Sequence, residues 1–263
     1  FIAEKGITII GSFSNYYIGY VDTLPYRKLK SAVEKLGVEL RLNLHIASLY
    51  RVDINFNTIT DDDVNLYTNH LFTHLSRFKR LEQDDGVIFK TKSKVMVFYN
   101  KSQDVLDKKG IDIKNRYRIE FRVLNNVKKH TGMERMEDLY EAENYLNLLK
   151  IFRDYYFKIK KQRITNIDYR KLRKGKEYEN YLMQKGIDAK GGDKEVRREI
   201  EQLDTQGVFD NRNQKYRLIK KLDTILNFNK VTITNPLAEE LDRKFAKAYK
   251  QELNSIKTNN KNY

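Results

Sequence analysis

Three segments of this chain alternate between apolar and polar residues with a period of two. They are Leu49-Tyr50-Arg51-Val52-Asp53-Ile54-Asn55-Phe56, Lys94-Val95-Met96-Val97-Phe98-Tyr99-Asn100-Lys101 and Tyr117-Arg118-Ile119-Glu120-Phe121-Arg122. Such alternation predicts half-buried β-strands, with apolar side chains on one face and charged ones on the other. Acids on adjacent strands can then meet and hold a divalent metal. Downstream the pattern becomes helical and carries Arg153-Asp154-Tyr155-Tyr156-Phe157-Lys158. Acids, tyrosines and a surplus of lysine point to phosphodiester chemistry on a nucleic acid.

The remaining elements follow from local signals. Ile7–Ile10 and Tyr16–Val21 read as a hairpin joined by Gly11-Ser12-Phe13-Ser14-Asn15. Pro25 opens a helix that runs to about Leu36 and stops at Gly37. Val38–Ser48 is ambiguous and fits a short helix feeding the next strand. Thr60-Asp61-Asp62-Asp63 is a cap followed by acids and predicts a helix to about Arg77. Val87–Thr91 and Lys94–Tyr99 form a second hairpin, and Ser102–Asn115 reads as a polar loop. Helices are expected over Glu137–Gln162, Tyr169–Lys185, Lys194–Asp204, Asn213–Leu226 and Pro236–Ser255. Strands first and helices second give an α+β class, an antiparallel sheet plus a helical half. The expected division is residues 1–162, residues 163–256, and a polar, disordered tail over 257–263. The pair Lys194–Asp204 and Asn213–Leu226 fits a helix-turn-helix and an ordinary helical hairpin alike.

Composition narrows the function classes. The chain has 263 residues and no cysteine, which excludes disulfides, thiolate metal sites and cysteine nucleophiles and fits a reducing cytoplasm. No apolar run approaches the roughly 20 residues of a membrane span. No signal peptide is visible, and with Phe1 rather than Met first, a start further upstream is expected. The balance of 51 basic against 36 acidic residues gives a net charge of +15, which favours a polyanion over an anionic membrane surface. Residues 150–176 hold 11 Lys or Arg, two acids and five aromatic residues. Cations interleaved with rings suit stacked bases and a tracked backbone. The same pattern fits a helix with an aromatic core face and a solvated basic one.

In order and spacing, the motifs resemble those of phage and plasmid rolling-circle replication initiators of the filamentous-phage gene II and gene X type. The resemblance runs through Gly11-Ser12-Phe13-Ser14-Asn15-Tyr16, the Arg51-x-Asp53 strand, Phe98-Tyr99-Asn100-Lys101, Arg118-Ile119-Glu120-Phe121-Arg122 and the stretch Tyr178–Gly192. It implies a five-stranded antiparallel sheet flanked by helices. It implies a nickase and strand transferase that cuts one strand at an origin through a tyrosine–5′-phosphate intermediate. The implied cofactor is Mg²⁺ or Mn²⁺. The implied partners are single-stranded DNA or an origin hairpin, with a host helicase and polymerase, in a bacterial cytoplasm. No nucleotide-binding motif is present, so no nucleotide cofactor is expected. Two departures stand out. Asn100 occupies the place of an aspartate, which removes one expected metal ligand. His45, His70, His74 and His130 lack the one-residue spacing of the histidine pair found in many rolling-circle nucleases.

The candidate site follows. Glu120 and Asp53 are the expected metal ligands, since oxygen donors suit Mg²⁺ or Mn²⁺ rather than zinc. Glu120 between Arg118 and Arg122 reads equally as a surface charge ladder. Tyrosine attacks a phosphate only if its proton, with a pKa near 10, is drawn off or the phosphate is polarised. Tyr155 and Tyr156 are the leading nucleophile candidates among 18 tyrosines, with Tyr140 and Tyr145 behind them. Arg51, Lys101, Arg118, Arg122, Lys158, Lys160 and Lys161 are the expected DNA contacts. A non-catalytic DNA-binding protein derived from such an initiator is the rival. His70 and His74 share a helical spacing that fits a metal pair but more simply a structural one.

Overall fold

The computed structural model describes residues 2–3, 6–68, 71–165, 170, 172–228 and 232–259. Its strands are β1 (Ile2–Ala3), β2 (Gly6–Ile7), β3 (Val52–Ile59), β4 (Phe72–His74), β5 (Lys79–Gln83), β6 (Gly86–Lys90), β7 (Lys94–Asn100), β8 (Arg116–Val123), β9 (Lys160–Lys161), β10 (Arg163–Thr165) and β11 (Thr232–Thr234). Its helices are α1 (Phe13–Tyr17), α2 (Leu29–Leu40), α3 (Asn65–Thr68), α4 (Lys101–Lys109), α5 (Val127–Thr131), α6 (Ala142–Lys158), α7 (Gly175–Ala189), α8 (Asp193–Thr205), α9 (Arg212–Leu226) and α10 (Pro236–Asn259). The chain divides into two compact units. One comprises Phe1–Asn69, Leu75–Lys158 and Leu241–Tyr263, the other His70–His74 and Ile159–Glu240. The C-terminal helical stretch is therefore not one block, because α10 from Leu241 onward belongs to the first unit.

The first unit is built on a five-stranded antiparallel sheet of order β3-β8-β7-β6-β5. The alternation seen in the sequence becomes two unlike faces. Ile54, Phe56, Ile119, Phe121, Met96, Phe98, Val87 and Phe89 line the apolar face by register. On it the ring of Phe121 stacks on Phe152 and Tyr155 of α6, with centroids 6.2 and 5.2 Å away. Phe245 of α10 stacks on Tyr156 at 4.1 Å and meets Phe56 edge-on at 5.6 Å. Thr91 turns β6 into β7, its hydroxyl accepting from the backbone N–H groups of Ser93 and Lys94. At the far end of that hairpin Gly86 lies so close to β7 that a Cβ would fall 2.1 Å from the Phe98 carbonyl oxygen.

Several local expectations give way to tertiary structure. The N-terminal hairpin does not form as read. Gly6–Ile7 pairs with Ile2–Ala3, and Ser12 caps α1 by accepting from the Asn15 N–H. α2 runs past Gly37 and stops at Arg41 in a left-handed conformation. The acids at 61–63 do cap a helix, with Asp63 accepting from the Asn65 N–H, but only the single turn of α3 follows. β4 then pairs with β9, a partner almost 90 residues away that no local signal reveals. Of the polar stretch expected as a loop, residues 102–109 belong to α4, capped by Asn100, stopped at Gly110 and anchored by buried Val105, while residues 110–115 are irregular. The long helix expected over Glu137–Gln162 begins at Ala142, after a separate 3-10 turn at Met136–Tyr140. The helix expected from Tyr169 starts at Gly175, and Tyr169 itself lies outside the described residues. α10 extends to Asn259, into the expected tail, of which residues 260–263 lie outside the described residues.

In the second unit α7, α8 and α9 share a core of Ile187, Ile200, Leu222, Ile225 and Leu226. Arg197 of α8 ties Asp193 on its own helix to Asp223 on α9, at 2.7 and 2.5 Å. This shared core accounts for the apolar pattern of the helix pair α8 and α9. β10 pairs with β11, and β4 with β9.

Candidate functional site

The other face of the sheet carries the charged residues. Register sets Asp53 opposite Arg122, Asn55 opposite Glu120 and Asn57 opposite Arg118 on β3 and β8. β7 adds Tyr99 opposite Arg118. Segments around residues 51, 99 and 120, far apart in sequence, thus meet on one surface.

The acids on this face are already engaged. Arg51 grips Asp53 with Nε and Nη2, the Nε–Oδ1 distance being 2.8 Å. Arg122 holds Glu120 at 3.0 and 3.2 Å and lies 3.9 Å from Asp53. Arg118 donates to Asn57 at 2.6 Å and reaches the Tyr99 hydroxyl at 3.4 Å. Burial raises the Tyr99 phenol to about 12, although Arg118 pulls the other way. A divalent cation of this class is held by one or two free carboxylates, with waters and substrate phosphates completing its shell. Here the two expected carboxylates are both bound by guanidinium groups. Among the described residues, no group of three or more His, Asp or Glu side chains converges. In this arrangement Arg51 and Arg122 occupy both carboxylates, Asp53 and Glu120.

Asn100 is not a depleted ligand of this site. In the β7–β8 register it pairs with Tyr117, on the face opposite to Glu120. Its side chain accepts from the Gln103 N–H at 3.0 Å, capping α4, and donates to Asn65 at 3.1 Å.

A segment that the sequence did not flag crosses the charged face. Gly19, at φ 102°, turns the chain out of α1, and residues 20–24 then run along β3 and β8. The Val21 carbonyl accepts from Asn57 at 3.1 Å and from Arg118 at 3.4 Å. Thr23 donates to Asn55 at 2.6 Å, and Asp22 pairs with Arg116 at 3.3 Å. Tyr20 donates its hydroxyl to Asp104 of α4, 2.9 Å from Oδ2 and 3.2 Å from Oδ1. The same carboxylate holds the ammonium groups of Lys101 and Lys108, each at 2.5 Å. Lys101 is only 1% exposed, and its nitrogen sits 3.6 Å from the Tyr20 ring centroid. Burial opposes the charge on Asp104, but the bonds from Lys101, Lys108 and Tyr20 outweigh it and hold its pKa below 3.8. Burial lowers the Lys101 pKa, with Asp104 opposing the shift. Lys101 is therefore a buried ion-pair partner rather than an exposed phosphate contact.

The expected nucleophiles lie elsewhere. Tyr155 and Tyr156 pack on the apolar face, so the sheet stands between them and Glu120 and Asp53. Tyr156 is fully buried, and its hydroxyl donates to Asp242 at 2.8 Å. Burial and Asp242 push its phenol well above 10. Tyr155 is half-buried, with the ammonium groups of Lys94 and Lys158 each 5.7 Å from its ring. Tyr140 is bonded to His45, and burial raises Tyr145, which packs on Tyr26. Lys160 and Lys161 form β9 in the second unit, where Lys160 pairs with His74. Burial, then Arg197, lowers the His74 pKa. His70 lies outside the described residues.

Of the residues named from the sequence, Arg51, Asp53, Arg118, Glu120 and Arg122 meet on one face, beside Tyr20, Asp104, Asn55 and Asn57, which the sequence reading did not name. One signal for Asp104 was legible: it lies three residues after Lys101 and four before Lys108, a helical spacing. No protein-family model, curated protein or solved structure matches the chain. No helix among the described residues is long and apolar enough to cross a membrane.

Proposed function

We propose that this protein binds DNA and nicks one strand at a rolling-circle origin, becoming joined through a tyrosine to the 5′ phosphate. One observation carries this reading. Three segments of the resemblance, Arg51–Asp53, Phe98–Lys101 and Arg118–Arg122, come from distant parts of the chain and lie on three adjacent strands. The segment that follows Gly11–Tyr16 lies against the same face. The net charge of +15 supports a polyanionic partner. The setting would be a bacterial cytoplasm, where a host helicase and polymerase use the freed 3′ end. Arg51 and Arg122 hold both sheet acids, so the nicking step is derived from the chain's own side chains.

The rival reading, a non-catalytic DNA-binding relative of such initiators, is favoured by the pairing of both sheet acids with arginines. A labelled pool of single-stranded oligonucleotides tiling the protein's own replicon separates the two. The nickase is expected to leave a protein–DNA adduct that survives denaturation. Tight, steeply salt-dependent binding with no adduct on any member of the pool would establish the binder instead.

A further inference from the structure

We propose that Tyr20 is the attacking nucleophile, that Asp104, oriented by Lys101, accepts its proton, and that Lys108 and Lys109 supply the positive field for the phosphate. This inference rests on the nicking reading above. A nucleophile site is recognised by a hydroxyl in hydrogen-bond reach of a base that a third group orients. Tyr20 meets that test. Its hydroxyl lies 2.9 Å from Asp104 Oδ2, and Lys101 and Lys108 fix the carboxylate from either side. Tyr156 has the same tyrosine–aspartate bond but is 0% exposed, so no DNA strand reaches it. The Tyr99 hydroxyl faces a guanidinium rather than a carboxylate.

Burial raises the Tyr20 phenol pKa, against the bond from Lys108, but cations for an incoming phosphate gather around it. Three ammonium groups lie near its ring, those of Lys101 at 3.6 Å, Lys109 at 5.5 Å and Lys108 at 5.9 Å. Tyr20 is half-buried, and the Lys108 side chain is 62% exposed, so the cluster opens to solvent on one side. Charge that builds on a phosphate in the transition state is best stabilised by cations already fixed in position. In the step, the phenolic oxygen forms a bond to phosphorus as the bond from phosphorus to the 3′ oxygen breaks. The phenolic proton passes to Asp104, and the departing 3′ oxygen takes a proton from water. The product is a tyrosine–5′-phosphate ester and a free 3′ hydroxyl. Asp104 is ionised at neutral pH, but its lowered pKa makes it a weak base, so the proton leaves the phenol only as the oxygen–phosphorus bond forms.

The test uses the full chain and the labelled oligonucleotide pool. The adduct is expected in the wild type and in Tyr155→Phe, and is expected to vanish in Tyr20→Phe while DNA binding persists. Asp104→Asn, which keeps an oxygen for Lys101, is expected to slow adduct formation about 100-fold. Peptide mass mapping of the wild-type adduct is expected to find the nucleotide on Tyr20, a readout independent of how any variant folds. An adduct retained in Tyr20→Phe, or mapped to another tyrosine, overturns this inference and leaves the nicking reading standing. No adduct in the wild type overturns both.

Discussion

Two tyrosine–aspartate hydrogen bonds sit on opposite faces of one sheet. Tyr156 donates to Asp242 at 2.8 Å, and Tyr20 donates to Asp104 at 2.9 Å. The bonds are nearly the same, but their surroundings are not. Tyr156 is enclosed by the rings of Phe98, Phe157 and Phe245. Tyr20 is half-buried among lysines. The first bond satisfies a polar atom inside a hydrophobic core, where an unpaired hydroxyl is costly. The second ties the Gly19–Leu24 segment to α4 and leaves the phenolic oxygen in a half-buried cluster of cations. A role is therefore set by what encloses a pair, not by the pair itself.

That contrast can be broken at its core. Phe245 is 2% exposed and packs against Tyr156, Phe152 and Phe56. Phe245→Ala is expected to cost about 3–5 kcal/mol in denaturant unfolding, at acid and neutral pH alike. A loss below about 1 kcal/mol would mean that the apolar face does not hold the unit together.

On the charged face the expected signature is pH dependence. Asp104→Ala leaves Lys101 as a buried charge without its partner, a change expected to cost about 3 kcal/mol at neutral pH. The wild-type carboxylate has a folded pKa below its ordinary 3.8. Its contribution is thus present above pH 3.8 and lost as pH falls through the lower folded value. The gap between wild type and variant should narrow in acid, whereas the gap for Phe245→Ala should not. Parallel curves would place the Asp104 effect in packing rather than charge.

Smaller changes sharpen the comparison. Tyr156→Phe removes a buried donor from Asp242 and is expected to cost about 1–3 kcal/mol. Tyr20→Phe, in a half-buried site, is expected to cost about 1 kcal/mol or less. The reverse order would make Tyr20 the structural member of the two. The smallest expected effect is that of EDTA. Asp53 and Glu120 are bound by Arg51 and Arg122, so chelation is expected to leave adduct yield unchanged. An adduct lost in EDTA and restored by Mn²⁺ would show that the arginines leave those carboxylates when DNA binds.

The amino-acid sequence by itself determined the α+β class, the strands β3, β7 and β8 and which residues share a face. Period-two alternation fixes those properties locally, because successive side chains of a strand point to opposite sides. It also singled out Arg51, Asp53, Arg118, Glu120 and Arg122, which the sheet does bring together. Only the tertiary structure decided which face the helices cover, and so separated Tyr155 and Tyr156 from those acids. Only the tertiary structure laid Tyr20–Leu24 over the charged face, 84 residues in sequence from the Asp104 that Tyr20 meets. Even α4, locally capped by Asn100 and Gly110, reads as a loop because its anchoring contacts are a buried valine and a buried ion pair. Pairings between distant segments leave no period in the sequence, since the partners are chosen by burial and charge once the sheet has formed.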